Sequence, residues 1–157
     1  MQELYQMVLD MGKCELIPCN QDENPEFWLA TRTTGIGGSD AGAVCGLSKW
    51  ATPLSVYLSK KDLSKFEGNE YTAYGHRMEP VIREWSREEL GGVIEEVPGM
   101  FKSCEHDFMN ANLDGLIYFE EEKKLSGVTL IGLGGHEIKE SSGEGFTDEG
   151  EVPDQYY

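Results

Sequence analysis

The sequence predicts a mixed α/β domain in which helices flank a central mixed β-sheet. Three observations support this class. Apolar residues recur at helical spacing up to residue 90, an alternating pattern typical of strands follows, and 157 residues suffice for one domain with a hydrophobic core. We therefore interpret residues 1–157 as a single domain with a helical N-terminal part, 1–66, and a second part, 67–157, that contains a long helix and the sheet.

The N-terminal part contains recognisable helix starts. Asn24 is a favourable N-cap, and Pro25 fits the first turn of the helix that follows. Thr52 and Pro53 repeat this pair of signals before apolar residues at helical spacing. We therefore expect this part of the chain to be helical, interrupted by one glycine-rich loop.

The glycine-rich loop, GIGGSD at 35–40, precedes a short predicted helix that Ser39 or Asp40 can cap. Glycines leave room for backbone N–H groups to approach a phosphate closely. The loop lacks the spacing and the Lys-Ser/Thr pair of a P-loop, so nucleotide binding is not expected. Taken alone, a plain tight turn is the simpler interpretation.

A long amphipathic helix is predicted at 74–92, ending at a pair of glycines. Its apolar residues follow the i, i+3, i+4, i+7 pattern of a buried stripe: Met78, Val81, Ile82 and Trp85. Proline is tolerated in the first turn of a helix, so Pro80 is expected there. This places Glu79 near the helix start, beside the stripe.

Three strands are predicted after this helix, at 91–101, 108–119 and 127–139. The charged segment EEEKKLSG, residues 120–127, is interpreted as the turn that joins the last two strands. If these two strands pair, the acidic residues that they carry come within a few ångströms of each other.

The last two strands carry a candidate metal site. Asp114 lies on the first of them and Glu137-Ile138-Lys139 on the second. Because strand side chains alternate, Glu137 and Lys139 share one face, while Ile138 and His136 point to the other. Two carboxylates suit Mg²⁺, and a lysine beside the ion can orient or deprotonate an attacking water. The pattern indicates metal-dependent hydrolysis of a phosphodiester.

Each of these signals is weak alone. A Glu-x-Lys pair is usually a solvated strand face, and Asp-Gly is more often a turn than a ligand. The order of helix Glu79, strand Asp114, turn, and strand Glu137-x-Lys139 is more specific than any one of its parts.

The charge balance bears on the partner. The chain has 13 basic and 29 acidic residues, a net charge of −16. Proteins that bind nucleic acid through its phosphates usually carry a basic surface. The composition therefore argues against DNA binding unless cations or further segments supply positive charge.

Cysteine spacing and hydropathy restrict the other classes. The four cysteines form no CxxC pair, which favours reduced thiols over a zinc knuckle or a disulfide framework. No apolar run is long enough to span a bilayer, and the first residues do not form a secretion signal. We expect a cytoplasmic protein with no membrane association.

Five segments between Trp28 and Tyr157 carry a family resemblance. They are RTTGIGGSDAGAVCGLSKWATPLSVYL from Arg32, G-x3-EP-x-I from Gly75, NANLDG, EIK and VPDQYY. This ordered set resembles the YqaJ-type viral recombinases, which are related to the exonuclease of phage lambda within the PD-(D/E)xK nuclease superfamily. The resemblance implies a restriction-endonuclease-like core.

The resemblance also implies roles for individual residues. Asp114 and Glu137 match the metal-binding carboxylates, Lys139 matches the catalytic lysine, and Glu79 matches the helix glutamate that completes the site. The main-chain carbonyl of Ile138 is an additional candidate metal ligand. The implied cofactor is Mg²⁺, or Mn²⁺ in its place.

Two further residues are implied to bind DNA. Arg32 and Ser39 match residues that hold the terminal 5′ phosphate in lambda-like exonucleases. No iron–sulfur cluster is expected, because related cluster proteins have cysteine ligands after the lysine motif and no cysteine follows Cys104 here.

For the whole molecule, the resemblance implies digestion of double-stranded DNA from 5′ ends, which leaves a 3′ overhang for a phage single-strand annealing protein. It also implies a ring-shaped homo-oligomer, a trimer, encoded by a phage or prophage and working in the bacterial cytoplasm. Family members continue past a P-x-x-Y-Y segment into helices, so we expect a C-terminally shortened chain with weakened activity and folding.

Other classes stay open at this point. A nuclease-like fold without activity can serve as an interaction module for a recombination partner. A strongly acidic domain can instead mimic DNA and occupy a nucleic-acid-binding protein. A sequence-specific restriction endonuclease shares the expected core but would nick closed circular DNA.

Overall fold

The computed structural model describes residues 3–61, 70–125 and 127–139, without the side chains of residues 71 and 72. This part of the chain contains both helices and strands, with four consecutive helices followed by five consecutive strands, so the predicted mixed α/β class is confirmed. None of the helices described is both long and apolar enough to cross a membrane.

The described strands form two three-stranded sheets, whereas the sequence predicted one central sheet. The chain divides into two compact units. The first unit consists of Met1–Cys14, Gly68–Pro98 and Leu113–Glu140. The second unit consists of Glu15–Glu67, Gly99–Asn112 and Ser141–Tyr157.

The first unit combines two helices with an antiparallel sheet. Its elements are α1 (Leu4–Asp10), α5 (Glu70–Leu90), β2 (Val93–Glu95), β5 (Gly115–Leu125) and β6 (Val128–His136). The strand order is β2-β5-β6, and β5 and β6 form a hairpin. Ile94, Ile117 and Phe119 are buried in its core, with Leu90 and Leu130 packed against them.

Residues 120–125 of the segment predicted as a charged turn belong to a strand instead. The β5 strand continues to Leu125, with an irregularity in the pairing between Phe119 and Lys123. Opposite this irregularity, Gly132 has a φ of +75°, which favours glycine. Cross-strand backbone hydrogen bonds do not require apolar side chains, so an exposed acidic segment can extend the hairpin.

Two expectations for the long helix are wrong. Helix α5 begins at Glu70, so Pro80 lies in its interior and Glu79 lies in mid-helix instead of near the start. Val81 and Trp85, predicted in a buried stripe, are 58% and 62% exposed. The buried face instead includes Arg83, which is only 8% exposed, because this face is turned toward polar groups of the same unit.

In its described residues, the second unit has three short helices and a small sheet. Its elements are α2 (Pro25–Thr33), α3 (Gly38–Val44), α4 (Pro53–Lys60), β3 (Gly99–Ser103), β4 (Asn110–Ala111) and most of β1 (Cys14–Pro18). Its strand order is β1-β3-β4. Strand β1 was not predicted, because its five residues follow helical signals and lack regular alternation.

The predicted capping residues are confirmed for two of the three helices. Asn24 Oδ1 accepts the N–H of Phe27 at 3.0 Å, and Thr52 Oγ1 accepts the N–H of Ser55 at 3.1 Å. The cap of α3 is Gly37, not Ser39 or Asp40.

The start of α3 is capped by a residue that lies inside the helix. Asp40 lies in the first turn of α3, where its carboxylate accepts the N–H of Gly37 at 2.9 Å. This bond satisfies one of the free N–H groups at the start of α3 from inside the helix.

Two of the predicted strands are each divided. The segment 91–101 forms β2 and β3, and the segment 108–119 forms β4 and β5. Each division coincides with a boundary between the two units, at Pro98 and at Asn112. Polar and apolar residues alternate through the boundary at Asn112, so the pattern alone predicted a single strand there.

Candidate functional site

The hairpin of the first unit brings the predicted acidic residues together. Gly115 lies opposite His136 in the antiparallel register of β5 and β6. Asp114 directly precedes Gly115, and Glu137 directly follows His136, so both leave the hairpin at the same end. The main-chain N–H of Ile138 donates to Asp114 Oδ2 at 2.7 Å. This bond fixes the Asp114 carboxylate beside the segment that carries Glu137.

The segment Glu137-Ile138-Lys139 lies beyond the end of β6. The prediction that these residues belong to a strand is therefore wrong at this point. Lys139 Nζ nevertheless contacts Glu137 Oε1 in an ion pair, and the two side chains are 43% and 47% exposed. The structure thus brings Asp114, Glu137 and Lys139 together at one exposed edge of the hairpin.

Glu79 belongs to the same neighbourhood, although it comes from α5. Burial raises the pKa of the Glu79 carboxyl above its usual range, and the negative charge of Asp114 raises it further. His76, whose Nδ1 lies 3.6 Å from Glu79 Oε2, lowers this pKa in part. Glu79 therefore lies near enough to Asp114 for the two carboxylates to interact electrostatically.

The raised pKa of Glu79 predicts a pH-dependent stability. A carboxyl whose folded pKa is raised contributes stability below its ordinary pKa and loses this contribution as the pH rises through the folded value. Glu79→Gln is therefore expected to raise the melting temperature of metal-free protein at neutral pH. The difference from the native chain should vanish below about pH 4, where both states carry a neutral side chain.

The measurement is thermal unfolding in chelator across this pH range. Glu88→Gln, an exposed carboxylate on the same helix, is the matched control and should shift the curve little. A Glu79→Gln protein that is less stable at neutral pH than the native chain would contradict the assignment.

Arg83 is a residue of this site that the sequence analysis missed. Its Nε donates to the main-chain oxygen of Asp114 at 3.2 Å, and its Nη1 contacts Glu96 Oε1 in an ion pair. The signal was present in the sequence, since Arg83 follows Glu79 by four residues and therefore shares its helix face. It went unused because a helical arginine is usually a solvated residue.

His136 lies close to the site, although it was not predicted to be a ligand. Burial lowers the pKa of its imidazole, the positive charge of Arg83 lowers it further, and Asp114 and Glu137 oppose this shift. Among the described residues, its Nδ1 is a buried atom with no hydrogen-bond partner. The balance of these effects favours a neutral imidazole beside the hairpin end.

The donor set can be compared with what a hard cation requires. Carboxylate oxygens and main-chain carbonyls are the ligands that Mg²⁺ prefers, and Asp114, Glu137, Glu79 and Ile138 supply them. Within the described ranges, no three His, Cys, Asp or Glu side chains are already arranged as a complete metal site. The types of donor fit the ion by chemistry, whereas their arrangement in the described residues is not that of a metal site, and Glu137 pairs with Lys139.

The predicted phosphate-binding pair lies in the second unit. Arg32 Nη2 donates to Ser39 Oγ at 2.7 Å, so the structure brings these two residues together. The Arg32 guanidinium carbon lies 5.1 Å from the ring centre of Trp28, a cation–π contact. Lys60 Nζ binds the main-chain oxygen of Arg32 at 2.9 Å and Asp40 Oδ2 at 2.8 Å. Two cations therefore lie at the glycine-rich loop.

The loop itself is held by the segment that precedes β4 and by β4. The N–H of Ile36 donates to the carbonyl of Phe108 at 2.6 Å, and the N–H of Asn110 donates to the carbonyl of Ile36 at 3.0 Å. A Cβ at Gly35 would lie 2.7 Å from that Phe108 oxygen and 2.8 Å from the Asn110 side chain. Only glycine therefore fits at this close approach.

Gly35→Ala is expected to lower the free energy of unfolding by about 1–3 kcal/mol, because the inserted methyl group must displace backbone. Urea denaturation measures this change. Gly38→Ala is the matched control, since no atom lies within 4 Å of its added Cβ. Equal losses in both variants would show that the contact at Gly35 does not hold the loop.

Comparison with known proteins decides the family. A family model described as the YqaJ-like viral recombinase domain matches residues 27–157. The chain belongs to this family. All candidate site residues, from Arg32 to Lys139, fall within the matched range.

A curated relative supports the assignment to the YqaJ-like family. The uncharacterized protein YqaJ of Bacillus subtilis (strain 168) is 30% identical over 135 residues, which cover 82% of this chain and 42% of the relative. The chain thus spans less than half the length of the curated relative that it matches. No solved structure matches the chain.

Proposed function

We propose that this YqaJ-like domain is a metal-dependent deoxyribonuclease that acts in phage-type DNA recombination. One observation carries the proposal. The antiparallel register of β5 and β6 and the bond from Ile138 N–H to Asp114 bring two carboxylates and the Lys139 amine to one exposed edge. This is the combination of groups that hydrolysis of a phosphodiester requires.

The proposed cofactor is Mg²⁺, with Mn²⁺ as a substitute. Asp114, Glu137, Glu79 and the Ile138 carbonyl would hold it. When bound, the cation supplies Lewis-acid stabilisation of the negative charge that grows on the phosphate and on the leaving oxygen. Because Glu137 forms an ion pair with Lys139, a cation held by Glu137 would leave the Lys139 amine available to the substrate.

Lys139 then acts on the attacking water. Its amine donates a hydrogen bond that orients the water for in-line attack on phosphorus. The water oxygen forms the new P–O bond, the P–O3′ bond breaks, the proton of the water passes to solvent, and the 3′ oxygen takes up a proton. The products are a 5′ phosphate and a 3′ hydroxyl.

The proposal also assigns a role to Arg32 and Ser39. We propose that they hold a terminal 5′ phosphate, with Lys60 adding positive charge to the same loop. Because cleavage of the P–O3′ bond leaves a new 5′ phosphate on the shortened strand, the same end group is regenerated at each step. Digestion from 5′ ends follows, with the 3′ overhang passed to a phage single-strand annealing protein.

The assembly and location that we propose rest on the family resemblance. A ring-shaped homo-oligomer that encloses duplex DNA, in the cytoplasm of a bacterial host, fits an enzyme that must remain on its substrate. The net charge of −16 opposes DNA binding. Binding is therefore expected to depend on the divalent cation and on the cations near the glycine-rich loop.

The test is incubation with linear duplex DNA that carries either a 5′ phosphate or a 5′ hydroxyl, in Mg²⁺ or in chelator. The proposal requires loss of the linear DNA in Mg²⁺ only, faster for the 5′ phosphate, with closed circular DNA left intact. Nicking of the circle would indicate a restriction-type endonuclease. No degradation in any condition would favour an interaction module or a DNA mimic.

A further inference from the structure

The buried guanidinium of Arg83 links helix α5 to Asp114, the residue that directly precedes β5. Arg83 is 8% exposed, and its Nε donates to the main-chain oxygen of Asp114 at 3.2 Å. The other arm of the guanidinium contacts the carboxylate of Glu96, which follows β2. One side chain therefore joins the helix, the segment after β2 and the start of β5.

The two bonds of Asp114 constrain it from different sides. Its carboxylate accepts the N–H of Ile138, which aligns it with the segment after β6. Its carbonyl accepts the Nε of Arg83, which fixes the peptide that precedes Gly115. A carboxylate whose side chain and main chain are both held has little freedom to leave its position beside the segment that carries Glu137.

Arginine suits this position better than lysine. A guanidinium is planar and presents several N–H donors in a fixed fork, so it can serve a carbonyl and a carboxylate at once. A lysine amine at the end of a flexible stem keeps the positive charge but not this geometry. The chemistry of Arg83 thus depends on shape as well as charge.

Arg87, one turn further along α5, provides an internal comparison. Its Nε and Nη2 donate to the main-chain oxygen of Ile94 at 3.0 and 2.9 Å, and its Nη1 contacts Glu84 at 2.6 Å. Arg87 therefore makes the same kind of bonds from the same helix, but to a carbonyl of β2 that lies outside the candidate site.

We propose that Arg83 is a positioning residue for the metal site, holding Asp114 in the arrangement that binds the cation through the bond to its main-chain oxygen. The proposal rests on the proposed function, because it assigns Arg83 a role in that same site. Partners outside the direct ligands typically change metal affinity or activity by about 10–100-fold when they are removed.

The experiment compares Arg83→Lys with Arg87→Lys. Calorimetric titration of the metal-free protein with Mn²⁺ alone gives the affinity, at a temperature where thermal melts show every variant folded. Arg83→Lys is expected to weaken Mn²⁺ binding about 10–100-fold, whereas Arg87→Lys leaves it within about twofold. With DNA and Mg²⁺, Arg83→Lys should lower kcat and leave KM for DNA unchanged.

The outcomes separate the two proposals. Wild-type Mn²⁺ affinity in Arg83→Lys overturns the positioning role, and so does an equal loss in Arg87→Lys, which would indicate general loosening of α5. Either result leaves the nuclease proposal intact. A native chain that binds no Mn²⁺ and degrades no DNA would remove the proposed function and the positioning role together.

Discussion

Asp114→Asn is expected to abolish Mn²⁺ binding and to lower the rate of DNA hydrolysis by about 10³-fold, as expected when several kcal/mol of charge stabilisation is lost. Asparagine keeps the size of the side chain and an oxygen that can accept the Ile138 N–H. It removes the negative charge that a divalent cation needs. The fold should therefore survive while the site fails.

The measurement pairs Mn²⁺ calorimetry with degradation of linear duplex DNA, and far-ultraviolet dichroism checks the fold. Asp107→Asn, an exposed carboxylate in the second unit, is the matched control and should bind Mn²⁺ and degrade DNA like the native chain. Unchanged Mn²⁺ binding in Asp114→Asn would show that this carboxylate is not a ligand.

Lys139→Met is expected to lower the rate of hydrolysis without weakening Mn²⁺ binding. The rate of hydrolysis should fall by about 10²–10⁴-fold, the usual range for a group that assists proton transfer or orients water. Mn²⁺ affinity should be retained or increased, because the variant releases Glu137 from its ion pair. Separating affinity from rate distinguishes a lysine that acts on the water from one that merely neutralises a carboxylate.

Single-turnover kinetics and the same Mn²⁺ titration measure this difference. Lys124→Met, an exposed lysine on β5, provides the control for loss of a positive charge near the hairpin. If Lys139→Met and the native chain degrade DNA at equal rates, Lys139 has no role in the reaction.

The local signals in the sequence predicted the fold well where one turn decides the outcome. Asn24 and Thr52 cap their helices as expected, because each bond joins a side chain to an N–H only three residues away. The start of α3 was harder to predict, because Gly37 has no side chain to show its capping role. Its partner, Asp40, lies inside the helix.

Signals that depend on distant parts of the chain were less informative. The extension of β5 to Leu125 is set by pairing with β6, which compensates for an acidic sequence with no alternation. Pro80 was placed in a first turn because an interior proline costs about 3 kcal/mol in a helix. Sequence alone cannot show that the helix formers before Pro80 and the packing of α5 offset this cost.

The candidate site shows the same difference between local signals and signals that depend on distant residues. The order of Asp114, Glu137 and Lys139 was sufficient to expect that they lie close together, because a hairpin joins its ends in a fixed register. Arg83 could not be assigned, since its role depends on which carbonyl it meets in three dimensions. Residues that belong to a local sequence motif could be predicted, whereas a residue whose role depends on a distant contact could not.

Paramagnetic broadening by Mn²⁺ tests the central claim most directly. In nitrogen-15-labelled, metal-free protein, amounts of Mn²⁺ well below one per chain should first broaden the amide signals of Asp114 and Ile138. The acidic run at 120–122 on β5 provides a competing set of carboxylates in the same unit. Broadening that is strongest at this run, or that is spread uniformly over the acidic surface, would contradict a metal site at the hairpin end.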